Sequence, residues 1–412
     1  MAERLFIDHL GHLGDGVAVT SGAAVYVPGA LPGETVDVED VVGNAGRLRI
    51  VQIVSASPKR ISPVCPHFGV CGGCAVQHWD AECYRMWKRD LVVEALDRVG
   101  LHCPVADLVD AHGAGRRRAV LHARRGTHEV LEVGFSAARA HRVVAIDRCP
   151  VLAKSLDGAI KVAWEIAEAL GPSAKPLDLH VTATDAGLDL DVRGSGSLST
   201  ALVSSLARIA DKRDLARLTR HGEVVALRRA PCLRMGNANV QLPPASFLQA
   251  TAEGEAALAR LVLAYCASAN HAADLFAGVG PFALRLAERM RIQAVDQDEQ
   301  ALAALDRAAS TTSGLKPVTV ERRDLLRRPL TGPELKPYDV VVFDPPRQGA
   351  ESQSRELATS GVPRIVAVSC NPVTFARDAS ALVNGGYRLI DVTPVDQFRY
   401  AAHVEIVALF EK

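Results

Sequence analysis

Strands and helices alternate through the last part of the chain, and this alternation limits the possible folds more than any other feature. After Pro243-Pro244, an amphipathic helical pattern leads into short apolar runs that are separated by further helical patterns. The runs are AADLFA, RIQAVD, VTVERRD, YDVVVFDPP, RIVAVSC, YRLIDVTPV and VEIVALFE. Such alternation predicts a parallel, doubly wound sheet, to which a final hairpin adds an antiparallel strand. We therefore expect a Rossmann-like domain with seven strands over residues 246–412.

Acidic residues and glycines lie at the ends of the first three predicted strands. Asp274 is followed by the GxG motif of Gly278 and Gly280, where glycine permits close backbone approach and the next helix offers free N–H groups. The third glycine of the dinucleotide fingerprint is absent. Asp296 ends the second strand, where a carboxylate can accept the ribose hydroxyls of NAD or S-adenosylmethionine. Asp324 ends the third strand, where it can hold an adenine amino group. The pattern predicts a nucleoside-bearing cofactor.

Cys370 follows the fifth strand in the stretch RIVAVSCNPVTFARD. Because Pro372 starts the next helix at a fixed φ, we expect the thiol to be held rigidly at the carboxyl end of the strand, facing a crevice. On this stretch alone, a packed core thiol and a nucleophile are equally good interpretations.

The neighbouring strand ends favour the nucleophile. The fourth strand ends in DPPR, where Arg347 replaces the aromatic residue that usually follows DPP in base-amino methyltransferases. Methylation of a pyrimidine at C5 requires addition of a nucleophile at C6, which a thiolate does best, and Cys370 lies one strand along from Asp344. No second cysteine follows DPP, as it usually does in RNA cytosine methyltransferases, so uracil is favoured. Glu405 precedes the apolar run IVALF, where desolvation would raise its pKa and suit it to proton abstraction; an exposed edge glutamate is the alternative.

A second group of cysteines lies earlier in the chain. Cys65, Cys71 and Cys74 follow a Cx5CxxC spacing in PVCPHFGVCGGCAVQHW. Cys149 is the best fourth candidate, because it too lies at a strand end and precedes a proline. Close thiolates on a Gly-rich loop can hold zinc or an iron–sulfur cluster, and the spacing does not separate the two.

Two further domains are expected before residue 246. Residues 1–56 combine alternating apolar segments with turn clusters such as Gly14-Asp15-Gly16, which predicts a small OB-like β-barrel, and the pattern GHLGDGVA resembles the TRAM domain. Residues 57–245 are expected to form a central α+β domain that carries the cysteine loop. Between Gly115 and Cys149 this domain has a cluster of arginines that can grip RNA phosphates, or that simply solubilise the surface. They are Arg116, Arg117, Arg118, Arg124, Arg125, Arg139, Arg142 and Arg148.

The motifs DLFAGVG, FDPPRQGA, VSCNPVTFARD and HVE, together with CPHFGVCGGC, resemble the RNA uridine-5-methyltransferase family, most closely the iron–sulfur branch that methylates 23S rRNA. The resemblance implies that S-adenosylmethionine is the methyl donor, Cys370 the nucleophile and Glu405 the base that removes the C5 proton. It implies a cofactor and base pocket lined by Gln249, Asp274, Phe276, Gly278, Gly280, Asp296, Asp324 and Asp344. It also implies a [4Fe–4S] cluster on Cys65, Cys71, Cys74 and Cys149. The segment QFRYAA, between Asp396 and His403, replaces a more usual proline-containing loop.

Composition sets the remaining expectations. Lys plus Arg and Asp plus Glu both number 47, so global charge neither suggests nor excludes RNA as a partner. The nine cysteines fit reduced thiols and a metal site better than disulfides. No apolar stretch is long enough for a membrane span, and the N-terminus lacks a signal-peptide pattern, so we expect a cytoplasmic monomer that binds no membrane. The predicted reaction is methylation of an RNA uridine at C5, with 23S rRNA as the favoured substrate. The alternatives are a tRNA uridine, a base-amino target, or a catalytically silent RNA-binding protein.

Overall fold

The computed structural model describes residues 3–20, 22–40, 48–126, 129–140, 142–172 and 176–412. The N-terminal strands are β1 (Glu3–Phe6), β2 (His9–Leu10), β3 (Asp15–Thr20), β4 (Ala23–Pro28), β5 (Thr35–Asp40) and β6 (Leu48–Ser55). They form two antiparallel sheets, in the orders β1-β5-β6 and β2-β3-β4. Both sheets contribute to one buried core, which contains Leu5, Ile7, Ala18, Val27, Ala30, Val36 and Val38. The closed barrel and the TRAM-like identity stay predictions.

The middle of the chain forms a seven-stranded sheet with helices packed against it. The helices and strands in this part of the chain are α1 (Ala81–Asp97), β7 (Val109–Asp110), β8 (Arg118–Arg125), β9 (Leu131–Ser136), β10 (Val143–Ala145), α2 (Ala159–Leu170), β11 (Leu177–Thr184), β12 (Gly187–Arg193), α3 (Thr200–Lys212), β13 (Arg217–Arg220), β14 (Glu223–Leu227), β15 (Cys232–Met235) and β16 (Ala238–Gln241). The seven-stranded sheet has the order β10-β9-β8-β11-β12-β13-β14, and β15 and β16 pair separately. α2 and α3 share a core with this sheet. α2 begins at Ala159, directly after Gly158, which takes a left-handed φ of 85°.

α1 and β7 lie inside the range predicted for the central domain, yet both pack on the C-terminal part of the chain. Val92, Ala95 and Leu96 of α1 are buried in the same core as the C-terminal strands. β7 pairs in parallel with a strand of the C-terminal sheet, Arg388–Asp396, through Val109 and Asp110. The apolar face of α1 therefore covers the C-terminal sheet rather than the central one.

The C-terminal part has the predicted alternation. Its elements are α4 (Ala252–Tyr265), β17 (His271–Leu275), α5 (Ala283–Leu286), β18 (Arg291–Asp296), α6 (Glu299–Thr311), β19 (Val318–Arg322), α7 (Gly332–Leu335), β20 (Val340–Phe343), α8 (Glu351–Ser360), β21 (Arg364–Ser369), α9 (Pro372–Asn384), β22 (Arg388–Asp396) and β23 (Glu405–Glu411). The seven predicted strands are all present, and β7 extends the sheet to eight in the order β19-β18-β17-β20-β21-β23-β22-β7. β23 lies antiparallel between β21 and β22, as the predicted final hairpin requires.

The topology brings several strand ends together. β17, β18, β20 and β21 are mutually parallel neighbours, so their carboxyl ends meet at one edge of the sheet. The middle residues of these strands are almost wholly buried between helices, and the sequences of the strands are therefore continuous apolar runs. Within the part of the chain that the structure describes, no helix is both long and apolar enough to cross a membrane.

Candidate active site

A cavity of about 460 Å³ opens at the carboxyl edge of the C-terminal sheet. This volume is in the range typical of sites for small ligands. Eight of the ten residues predicted for catalysis and cofactor binding line it: Gln249, Phe276, Gly278, Asp296, Asp324, Asp344, Cys370 and Glu405. The fold therefore gathers residues from six strand ends and from the segment before α4 around one space.

Two predicted pocket residues do not line this cavity. Asp274 is completely buried in the strand itself, and neither of its carboxyl oxygens has a hydrogen-bond partner of normal geometry. Burial, with a smaller effect from nearby Asp344, raises its pKa well above the usual range. Gly280 packs under α6, where a Cβ atom would lie 2.8 Å from the Leu305 side chain. Asp274 and Gly280 therefore lie in the layer beneath this cavity rather than on its wall, and their part in cofactor binding stays a prediction.

Cys370 lies between the end of β21 and the start of α9, as predicted. Asn371 caps α9, since its side chain accepts a hydrogen bond from the Val373 N–H at 3.1 Å, and Pro372 begins the helix. Burial raises the pKa of the Cys370 thiol to about 12, and the nearby carboxyl groups of Glu405 and Asp344 act in the same direction. Arg347 acts in the opposite direction, because its positive charge favours the thiolate.

Asp344, which is partly buried, and Glu405, which is buried, form an acid pair next to this thiol. Burial raises the pKa of Asp344 to about 7, and burial together with the Asp344 charge raises the pKa of Glu405 to about 8. Gln397 Nε2 donates to Glu405 Oε1 at 2.9 Å and to Gln249 Oε1 at 2.6 Å. Gln249 Nε2 donates in turn to Asp344 Oδ2 at 3.1 Å. The two amides hold the acids in place, while Glu405 Oε2 has no hydrogen-bond partner.

The sequence did not predict a role for Gln397, nor did it predict what the polar residues after Cys370 do in the structure. Asn371 Nδ2 and Thr374 Oγ1 both donate to the Arg347 carbonyl, each at 3.1 Å. Asp378 accepts a hydrogen bond from the Ala350 N–H at 2.7 Å. The polar residues of NPVTFARD therefore fix the DPPR loop against α9. Their regular spacing on one helix, directly after the thiol, was the available signal.

The opposite end of the cavity has the features expected of a nucleoside site. The Gly278 N–H donates to Asp296 Oδ2 at 2.9 Å, so the GxG loop is tied to the end of the next strand. Phe276 has a left-handed φ of 63°, a strained conformation for a residue other than glycine that is typical of functional loops. Asp324 accepts from the Leu326 N–H at 3.1 Å and keeps its carboxylate at the cavity wall.

A second cavity, of about 550 Å³, adjoins the first. Both are lined by Arg118, Ser246, Phe247, Ala250, Arg347 and Phe398. The four predicted metal ligands, Cys65, Cys71, Cys74 and Cys149, all line the second cavity. Burial, with smaller effects from the neighbouring thiols Cys149 and Cys71, raises the pKa of Cys74 to about 11. Among the described residues, no group of three or more Cys, His, Asp or Glu side chains is arranged to hold a metal ion.

Comparison with known proteins identifies the family. The family model described as tRNA (Uracil-5-)-methyltransferase matches residues 241–412. An uncharacterized RNA methyltransferase of Brucella suis is 47% identical over 99% of this chain and 98% of its own length. The 23S rRNA (uracil(1939)-C(5))-methyltransferase of Chromohalobacter salexigens is 33% identical over 100% of this chain and 90% of its own length. The chain belongs to the S-adenosylmethionine-dependent RNA uracil-5-methyltransferase family. The crystal structure of Pyrococcus abyssi tRNA (uracil-54, C5)-methyltransferase in complex with S-adenosyl-L-homocysteine shares the fold, with a TM-score of 0.76 at 24% identity over 99% of both chains.

In this methyltransferase, only part of the predicted arginine cluster faces the cavities. The Arg118 guanidinium stacks 4.5 Å from the Phe247 ring centre, and that of Arg116 lies 5.7 Å from the Phe398 ring centre. Both arginines line the second cavity. Arg117 is instead buried and pairs with Glu255 at 2.5 Å. Arg117 therefore does neither of the two things expected of this cluster, because a buried guanidinium paired with Glu255 can neither grip RNA phosphates nor solubilise the surface.

Proposed function

We propose that the methyltransferase makes 5-methyluridine in 23S rRNA through a covalent bond between Cys370 and C6 of the target uracil. The observation that carries this proposal is the placement of one thiol and a largely desolvated acid pair, Asp344 and Glu405, on the wall of one cavity. A thiol can attack C6, and a desolvated carboxylate can remove the C5 proton. Neither group is needed merely to bind RNA.

In the proposed reaction, the Cys370 thiol gives its proton to solvent and its sulfur forms a bond to C6, which moves the ring electrons onto C5 and O4. C5 then takes the methyl group from the sulfonium of S-adenosylmethionine; the sulfur–methyl bond breaks and S-adenosylhomocysteine leaves. Glu405 then takes the C5 proton, the C5–C6 double bond re-forms, and the sulfur leaves with its electron pair. Arg347 is the nearby cation that favours the thiolate at the start and end of this cycle.

Two variants test these roles. Cys370→Ala should abolish both turnover and any covalent RNA adduct while leaving S-adenosylhomocysteine binding unchanged, because the thiol is not needed to hold the nucleoside. Glu405→Gln should accumulate the adduct, visible as a slower RNA band on a denaturing gel, because elimination stalls after methyl transfer. Cys103→Ala is the matched control, since this partly buried thiol packs against the core away from the cavities. Full activity of Cys370→Ala would instead support a base-amino target.

The cofactor roles follow from the cavity walls. Asp296 is assigned to the ribose hydroxyls and Asp324 to the adenine amino group, while Phe276 and Gly278 bring the loop backbone close to the nucleoside. Gln249 and Asp344 lie between this end and Cys370, and their hydrogen bond to each other supports a role in holding the uracil beside the methyl donor. We assign Asp274 and Gly280 to packing beneath the loop.

We also assign a [4Fe–4S] cluster to Cys65, Cys71, Cys74 and Cys149. The four thiols line one cavity, which supports one shared centre, and the resemblance of CPHFGVCGGC to the iron–sulfur branch of the family favours a cluster over zinc. Burial raises the pKa of three of these thiols, and a positively charged centre would lower it again. Purified protein should contain iron and acid-labile sulfide, and both should fall in Cys74→Ser but not in Cys103→Ser. Zinc without sulfide would overturn the assignment.

The RNA is assigned to the second cavity and its border with the first. Phe247 is 65% exposed beside Arg118, an arrangement suited to stacking an unpaired base. In this scheme residues 1–56 form a TRAM-like barrel, 57–245 the RNA-binding domain and 246–412 the catalytic domain, with α1 and β7 attached to the last. The 23S rRNA relative, at 33% identity over the whole chain, favours ribosomal RNA.

The description of the matching family model favours tRNA as the second candidate. Mass spectrometry of nucleosides from 23S rRNA and from tRNA, prepared with and without the gene, separates the two. Loss of 5-methyluridine from tRNA alone would reject the ribosomal assignment while keeping the chemistry.

A further inference from the structure

The segment between β22 and β23 leads directly into Glu405 and supplies two residues of the site. Gln397 donates to Glu405 Oε1 at 2.9 Å, and Phe398 lines both cavities. Residues 397–404 form no helix or strand, so their backbone groups need partners from elsewhere in the fold. Several of these partners come from α1, which begins more than 300 residues earlier in the chain.

Lys88 on α1 is the first of these partners. Its side chain is fully buried, and Nζ lies 3.0 Å from Asp396 Oδ1. Nζ also donates to the Ala401 carbonyl at 2.9 Å and to the His403 carbonyl. One ammonium group therefore joins the start of the segment to its end, immediately before Glu405. A buried ion pair gives little net stability, so stability alone is a weak reason for this arrangement.

Tyr84, one helical turn before Lys88, is the second partner. Its hydroxyl donates to Asp396 Oδ2 at 2.6 Å and accepts a hydrogen bond from the Tyr400 N–H at 3.0 Å. His112 Nε2 also lies 2.8 Å from Asp396 Oδ2. The segment is thus fixed at both ends and in the middle by side chains from a helix that contributes nothing else to the cavity.

Tyr400 needs this support because it has a left-handed φ of 64°. Such a conformation persists in a residue other than glycine only when its surroundings hold it. The cysteine loop holds it from the other side, since the N–H groups of Ala75 and Val76 both donate to the Tyr400 carbonyl, at 2.7 and 3.0 Å. The segment before Glu405 is therefore clamped between α1 and the loop that carries Cys74.

We propose that Tyr84 and Lys88 are positioning residues for the release step, and that they act by holding residues 396–403 so that Gln397 and Glu405 face C5 of the methylated uracil. The proposal rests on the proposed role of Glu405 as the base. It also gives α1 a reason to pack on the C-terminal sheet. The positive charge of Lys88 favours the ionised form of Glu405, which is the form that accepts a proton.

The test compares Tyr84→Phe with Tyr387→Phe. Both changes remove one hydroxyl from a buried tyrosine. Tyr84 packs with Trp87 and Leu91, whereas Tyr387 packs in the core of the C-terminal sheet, where its hydroxyl donates to the Val362 carbonyl at 2.7 Å. With S-adenosylmethionine and substrate RNA, Tyr84→Phe should release the adduct roughly tenfold more slowly and accumulate it on a denaturing gel, since small misplacements of reacting groups have effects of this size or larger. S-adenosylhomocysteine affinity should not change, and Tyr387→Phe should behave as wild type.

Equal adduct release by Tyr84→Phe, Tyr387→Phe and wild type would overturn the proposal, as would equal slowing in both variants. Lys88→Met provides a second measurement, with an expected accumulation of adduct at least as large as in Tyr84→Phe. If Glu405→Gln traps the adduct while Tyr84→Phe does not, only the positioning role fails. If Glu405→Gln traps no adduct, the base assignment fails and the positioning role with it.

Discussion

Replacing Glu405 by glutamine should stabilise the folded methyltransferase at high pH and have little effect at low pH. Burial, and then the neighbouring Asp344, raise the pKa of Glu405 from 4.5 to about 8. Between these two values the folded protein keeps a proton that the unfolded chain has lost. Because the unfolded state binds fewer protons, the free energy of unfolding falls as the pH rises through this window.

The magnitude follows from the difference between the two pKa values. At about 1.4 kcal/mol per pH unit, the pKa difference corresponds to a loss of about 5 kcal/mol in the free energy of unfolding. This loss is an upper limit, because Asp344 competes for the same proton. Glutamine keeps the oxygen that accepts from Gln397, but it places an NH₂ group where Oε2 has no partner, at a cost of about 1–3 kcal/mol. Near pH 5, wild-type Glu405 carries a proton at the same place, so the two proteins should be similarly stable.

Differential scanning calorimetry at pH 5 and pH 9 measures the effect. The variant should melt within a few degrees of wild type at pH 5 and about 10 °C higher at pH 9, given that about 1 kcal/mol shifts Tm by roughly 2–4 °C in a domain of this size. Glu168→Gln, at an exposed position of α2, is the control and should follow wild type at both pH values. Parallel pH dependences for wild type and Glu405→Gln would refute the reasoning, because they would mean that Glu405 ionises normally in the fold.

Three further predictions concern residues that line the cavity or hold its loops in place. Asp378→Asn should lower kcat roughly tenfold without changing S-adenosylhomocysteine affinity, since Asp378 accepts the Ala350 N–H at 2.7 Å and so holds the DPPR loop; single-turnover kinetics and calorimetric titration would check this, and a weaker Kd with normal kcat would contradict it. Asp296→Asn should do the reverse, weakening S-adenosylhomocysteine roughly tenfold through loss of a charged acceptor while RNA affinity stays constant. Phe247→Ala should weaken RNA binding by about 1–3 kcal/mol in a filter-binding assay, the usual value of one stacked base, and unchanged RNA affinity would assign this exposed ring no role in binding.

The sequence by itself determined the strands of the C-terminal sheet and most of the site that they carry. The apolar runs are buried on both faces, so each could be recognised locally, and parallel alternation requires their carboxyl ends to meet. Asp296, Asp344, Cys370 and Glu405 were predicted at strand ends for this reason, and all four line one cavity. The four cysteines that the spacing and the Cys-Pro pairing grouped together also line a single cavity, and the metal centre expected on them stays a prediction.

Only the tertiary structure decided which side chains hold these groups in position. Gln397 reaches both Gln249 and Glu405, and Lys88 reaches a segment more than 300 residues away, through contacts between elements that no local periodicity relates. The same reason explains the errors. Asp274 and Arg117 have the residue types and spacing of functional groups, but packing buries Asp274 inside β17, beneath the cofactor loop, and turns Arg117, which precedes β8, onto Glu255. A strand end predicts which residues come near a site, and packing alone decides which of them face it.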